Sequence, residues 1–217
     1  MNHRSAFLLR LMPAALMLAL LIAISGPARA MATPATDLID KLNGAFLQAM
    51  QNGPALGYDG RYKELEPAVS DAFDFQLMAR IAVGRHWQEL SEQQKTLLVD
   101  TFRRYSVATY AARFKAFANE RFEILGEEPK AQNTVLVKNQ IVEGKSGDPI
   151  RIDYLLRPDQ SQGALKIIDI YLKGSISQLA VYRSEFVDVI EAKGFDGLIA
   201  KLDERIAELA KDGATQP

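Results

Sequence analysis

Few side chains in this sequence could carry acid–base or nucleophilic chemistry. The 217 residues include two histidines, His3 and His86, and no cysteine, so disulfides and thiolate chemistry are absent. One imidazole beside Trp87 cannot furnish a zinc ligand set or a Ser/His/Asp triad by itself, and His86 reads as a surface or packing residue. Asp153 and Asp169 fall on strand-like runs, where a carboxylate facing a cleft can be tuned into a general base. No second acid or base can be assigned to either, so a solvated strand face or a salt bridge is the simpler reading. Gly144-Lys145-Ser146 has the ending of a phosphate-binding loop, but Asn139 stands where the first glycine belongs and no helix follows. It is read as a turn. No catalytic residue, metal ligand or cofactor site is assigned.

The aromatic and cationic residues say more. Phe102, Tyr105, Tyr110, Phe114 and Phe117 crowd one helix-like segment, while Tyr154 and Tyr171 sit on strand-like runs. Such a stripe packs a core or lines a ligand cavity, and periodicity does not separate the two. Arg113 falls on the stripe of the aromatic segment, and Arg183 lies among Leu179, Tyr182 and Phe186. A guanidinium so placed snorkels outward or finds a carboxylate or phosphate. A structural salt bridge is expected ahead of a ligand contact, because unpaired burial is costly.

The elements that must position these groups follow from the pattern. Leu38, Leu42, Phe46 and Met50 give a helix over 36–50, ended by Asn52-Gly53-Pro54. Asp71–Asp74 leads into a second helix with Phe75, Met78 and Ala82 on one side. Ser91 with Gln94 forms a capping box that opens the longest helix, running to about Phe117. The period then changes to two. Strands are expected over 121–125, 134–142, 150–157 and 165–173, with turns at Glu127–Pro129, Gly144–Asp148 and Pro158–Gly163. Short sequential links favour an antiparallel meander. A further capping box at Ser175 and Gln178 starts a helix that ends at Gly194, and Asp196 caps a last one. The predicted fold is α+β, a four-stranded antiparallel sheet covered by N- and C-terminal helices.

The chain begins with a charged start carrying Arg4 and Arg10, then an apolar run, residues 11–25, followed by Ala28-Arg29-Ala30. That is the layout of a secretory signal peptide over residues 1–30. The run has fifteen residues and carries Pro13, against the ~20 a membrane span needs. Its removal takes three arginines and no acid, leaving 23 basic against 27 acidic residues. A mildly acidic chain argues against nucleic acid as a partner. One domain is expected over 31–210, with a disordered tail at 211–217.

Phe73-Asp74-Phe75, Met78-Ala79-Arg80, Gly84-Arg85 before Trp87, Phe102 through Tyr110-Ala111, Val181–Phe186 and Gly194–Leu198 together resemble the toluene-tolerance family, the periplasmic phospholipid-binding MlaC proteins. Within it, Leu172–Ala180 looks like the hopanoid-biosynthesis-associated branch called HpnM. The resemblance implies an apolar cavity between sheet and helices, and a periplasmic lipid carrier that shuttles a hopanoid or phospholipid between inner and outer membranes. It also implies an inner-membrane lipid transporter as partner, and an outer-membrane complex beyond it. On that reading the lipid-binding residues are Phe102, Tyr105, Thr109, Tyr110, Tyr154, Tyr171, Ile176, Leu179 and Tyr182, with Arg183 positioning its helix or lying near a head group. A sixteen-carbon tail in water costs on the order of 12 kcal/mol, at ~0.8 kcal/mol per methylene. Carrying it needs a long apolar pocket and no chemistry. The alternatives are an enzyme on a similar cone-shaped scaffold, with Asp153 or Asp169 as base and a tyrosine as donor, and an adaptor that docks on a transporter without a ligand.

Overall fold

A computed structural model describes residues 32–144, 148–161 and 163–214. The expected signal peptide, and Lys145 and Ser146 of the glycine-lysine-serine turn, lie outside the described residues. Residues 32 onward begin with α1 (Pro34–Gln51), α2 (Gly53–Ala72) and α3 (Phe75–Val83), then a short 3-10 turn over Gly84–Gln88 and α4 (Glu92–Arg113). The strands are β1 (Arg121–Lys130), β2 (Thr134–Val142), β3 (Ile150–Pro158), β4 (Leu165–Leu172) and β5 (Ile176–Ser177), and α5 spans Gln178–Ala214.

Local chemistry sets several boundaries. Thr33 and Thr36 form a reciprocal capping box at α1, with Pro34 in the first turn; Ser91 and Gln94 do the same at α4. Each box satisfies two backbone N–H groups that the first helical turn leaves unpaired. The α1 face carrying Ile39, Leu42 and Phe46 is fully buried. Residues 211–214, expected in the tail, continue α5 as helix.

The sheet is an antiparallel meander in the order β1-β2-β3-β4-β5. It has five strands where the sequence predicts four, because Ile176 and Ser177 add a two-residue strand against Leu172 and Tyr171. The predicted turn at Glu127–Pro129 is also corrected: those residues pair with β2, and the chain reverses at Ala131–Asn133. Gln132 and Asn133 take left-handed backbone there, at φ 60° and 56°. Pro129 is tolerated because β1 is an edge strand, where a missing N–H costs no ladder bond. A bulge at Leu125 resets the register between the two halves of β1.

Helix α2 is absent from the sequence expectations. Gly53, Pro54, Gly57, Gly60 and Pro67 read as breakers, and Gly57, at φ 62°, does interrupt the helix. What holds the segment is one line of residues four apart, Arg61, Leu65 and Val69, all buried. Arg61 is 2% exposed and pairs with no carboxylate among the described residues. Its Nε donates to Ala111 O at 2.9 Å, Nη1 to Gly53 O at 2.9 Å and Nη2 to Gly213 O at 2.7 Å. Two of those carbonyls belong to the last turns of α4 and α5, where the helix dipole is negative. The guanidinium thus ties α2, α4 and α5 together.

The core lies between the helices and one face of the sheet. Phe46, Leu65, Phe102 and Leu198 pack there with Val137, Tyr154, Leu156 and Ile167.

Candidate functional site

Helix α4 and strands β3 and β4 meet the start of α5 around a cavity of about 120 Å³. From α4 it takes Ser106, Thr109, Tyr110, Arg113 and Phe114; from β3, Ile152 and Tyr154; from β4, Ile170 and Leu172; from α5, Gln178 and Tyr182. Period fixes these sets. Ser106, Thr109, Tyr110 and Arg113 recur at three and four residues along α4, and Ile152/Leu172 and Tyr154/Ile170 are directly opposed pairs on one sheet face.

The lining is apolar in body and polar at a few points. Burial raises the phenols of Tyr110, Tyr154 and Tyr182 well above the ordinary tyrosine value. Tyr110 is raised further by the neighbouring Tyr154 and Tyr182 hydroxyls and is opposed by the Arg113 guanidinium. The four polar groups are therefore close enough to feel one another. Among the described residues, none of these hydroxyls has a hydrogen-bond partner, and Arg113 makes neither an ion pair nor a hydrogen bond. Thr109 is different: its hydroxyl donates back to Tyr105 O at 2.8 Å, leaving its methyl free to face the cavity.

Of the ten residues proposed from the sequence, Thr109, Tyr110, Tyr154 and Tyr182 line this cavity. Phe102 is fully buried behind it, with its ring edge-on to those of Phe75, Tyr182 and Phe186. Tyr105 meets Tyr182 edge-on at 6.1 Å between ring centres. Leu179 is a core residue. Tyr171 belongs to the other side of β4, since its neighbours Ile170 and Leu172 face the cavity. Ile176 is 47% exposed on β5. Arg183 is exposed rather than buried, with its guanidinium over the backbone of Gly84. It forms no salt bridge among the described residues, so the expected structural pairing is not made. Phe114, named with the aromatic stripe, and Gln178, named only as a capping residue, also line the cavity, as do Ser106, Ile152, Ile170 and Leu172, which are not among the ten; the alternation of β3, with Ile152 two residues before Tyr154, carries a signal for the first strand pair.

The two strand carboxylates are occupied in structural bonds. Asp153 accepts from Asn139 N at 3.0 Å and from the Arg151 guanidinium. Asp169 accepts from Ile170 N, Leu179 N and the Ser177 hydroxyl. Both alternate with cavity-lining neighbours and sit on the opposite side of the pleat. His86 bonds Glu89 at 2.9 Å and takes no part in the cavity. Among the described residues no group of acids and histidines could hold a metal ion, and no helix is long and apolar enough to cross a membrane.

The matches to known proteins cover most of this architecture. The family model described as MlaC protein matches residues 40–204. The chain belongs to the MlaC family. The match runs from within α1 into the second half of α5, so all four elements around the cavity lie in the matched region. Among solved structures, this MlaC-family chain is similar to a phospholipid-binding protein from Ralstonia solanacearum, solved in complex with a phospholipid. The two share 25% identity with a TM-score of 0.65, over 82% of this chain and 97% of the other. No curated protein matches the chain.

Proposed function

We propose that this protein is a non-enzymatic carrier of phospholipid, holding the acyl chains in the cavity under α4 and α5. The observation that carries this reading is the cavity itself, an apolar body with Arg113 and three tyrosine hydroxyls that have no partner among the described residues. Phospholipid binding by the Ralstonia protein supports it. Arg113 takes the phosphate by charge-assisted hydrogen bonds, and the tyrosine hydroxyls serve the ester oxygens just below.

At about 120 Å³ the cavity is smaller than the ~300–1,000 Å³ of sites for drug-sized ligands. An acyl chain therefore enters by parting its walls. The wall that parts is the stretch of α5 beyond its first turn, which Asp169 holds at Leu179 N, up to the left-handed Gly194 (φ 73°). Tyr182 travels with it.

The rest of the reading concerns setting. Residues 1–30 act as a cleaved signal peptide, the carrier works in the periplasm, and an inner-membrane transporter exchanges lipid with it. A hopanoid is the second ligand reading, favoured by the likeness of Leu172–Ala180 to the HpnM branch. The test is mass spectrometry of organic extracts of the purified protein, followed by transfer of labelled phospholipid between donor and acceptor vesicles. Phospholipid in the extract and transfer without chemical change support the carrier. A hopanoid in the extract moves the reading to that branch, a hydrolysed lipid product moves it to an enzyme, and an empty protein that transfers nothing leaves the adaptor.

A further inference from the structure

A second concavity lies at the other end of the β3–β4 hairpin. It measures about 360 Å³ and is bounded by the start of α3, Trp87 and the residues where β3 turns into β4. Arg80, Arg157 and Lys166 all line it, as do the acids Asp74 and Asp159.

The two signs are treated differently there. Asp74 is tied into its own helix, accepting from Leu77 N at 2.9 Å. Asp159 accepts from Ser161 N at 3.1 Å and Gly163 N at 2.9 Å, holding its own turn. Lys166 donates to the carbonyl of Asp71. The two guanidiniums have nothing comparable: among the described residues neither Arg80 nor Arg157 makes an ion pair or hydrogen bond. Arg157 is half exposed and Arg80 exposed. The indole of Trp87 supplies a flat apolar wall beside them.

We propose that this cleft is an anion site for a phosphate-bearing group of head-group size. Two unengaged guanidiniums offer the planar paired donors that match phosphate oxygens, with the Lys166 ammonium as a third charge. The size suits a small polar molecule. The cleft is separate from the lipid cavity and shares none of its lining residues, so the proposal stands whether or not the carrier reading does. Two sources could bring the same chemistry: a soluble phosphate ester, or the head group of a phospholipid at a membrane surface.

Trp87 is the sole tryptophan of the chain, which makes the cleft its own reporter. Titrating the purified protein with glycerol 3-phosphate should change Trp87 emission saturably, and added salt should weaken the response. The double variant Arg80→Gln/Arg157→Gln should weaken binding at least tenfold. Either single variant replaces the double if its thermal melt shows loss of the fold. Phosphatidylglycerol vesicles, titrated in parallel, separate the sources: a response to vesicles alone assigns the membrane head group, and a response to the ester assigns a soluble ligand. No saturable response to either probe overturns the proposal, as does an equal response to plain glycerol. It is also overturned if the arginine variants bind as tightly as the original protein.

Discussion

The carboxylate of Asp169 on β4 accepts a hydrogen bond from the backbone N–H of Leu179 at 2.9 Å, fastening the first turn of α5 to the sheet. The same carboxylate takes the Ser177 hydroxyl at 2.6 Å, and Ser177 Oγ in turn accepts from Ala180 N. Two otherwise unpaired N–H groups at the helix start are thus satisfied, Leu179 N by Asp169 itself and Ala180 N by the Ser177 hydroxyl that Asp169 holds. Because Gln178 and Tyr182 stand in that turn and the next, the fastening also sets one wall of the cavity.

Asp169→Asn keeps the shape but offers one acceptor oxygen in place of two. Losing one bond to a charged acceptor costs about 1.5–3 kcal/mol. Urea unfolding of delipidated protein should show a loss of that size, and lipid retention should fall with it. Unchanged unfolding would mean α5 is held by packing alone.

Thr109→Trp tests the cavity directly. In a close-packed interior the larger side chain costs ~1–3 kcal/mol through overpacking. Pointing into a space of about 120 Å³, it should fold with little loss and co-purify with far less lipid. The stabilisation by added lipid, about 2.7 kcal/mol at a hundredfold excess over Kd, should disappear. A folded variant with its full lipid load would remove Thr109 from the pocket.

The two arginines first noticed together should part company. Arg183 is exposed and makes no ion pair among the described residues, so Arg183→Leu should change stability by no more than about 0.5 kcal/mol. Arg113→Gln should likewise leave the thermal melt of delipidated protein in place, yet reduce phospholipid retention. A large destabilisation by either substitution would reveal a structural role.

Arg61→Met should be the most damaging of the set. It leaves the carbonyls of Gly53, Ala111 and Gly213 facing an apolar side chain, at roughly 1–3 kcal/mol for each acceptor left unsatisfied. Denaturant titration should show a loss of 3 kcal/mol or more, unless water replaces the guanidinium. Gly213 leaves no room for adjustment nearby, since a Cβ there would come within 2.6 Å of the Tyr58 ring.

Alkaline pH gives a further check. Burial raises the phenols of Tyr110, Tyr154 and Tyr182, whereas an unfolded tyrosine ionises near pH 10. The neutral form is the one the fold prefers. Its contribution is whole below about pH 10 and is lost as the pH rises from there towards the folded-state values. Tyr154→Phe should therefore lose less stability than the original protein between about pH 9 and 12; parallel curves would contradict the raised phenol.

The sequence by itself determined what depends on neighbours in the chain. The capping box at Ser91 and Gln94 started α4 one residue on, and alternation placed β2 at 134–142 and began β3 and β4 at 150 and 165. Capping and pleating act over two to four residues, so they can be read locally. Tertiary structure decided the rest. Helix α2 exists although its sequence is full of breakers, because Arg61 meets carbonyls 50 and 152 residues away. The α5 cap fell at Ser177 rather than Ser175, because Asp169 could reach it across the β4–β5 turn. Strand β4 is apolar on both sides, so only its register with β3 turned Ile170 and Leu172, not Tyr171, towards the cavity. Arg183 shares a helical period with buried residues yet lies at the edge of the packed face, where the guanidinium reaches water. A periodic pattern fixes which residues share a face; it cannot say where that face ends, because the partner across the gap sets the limit.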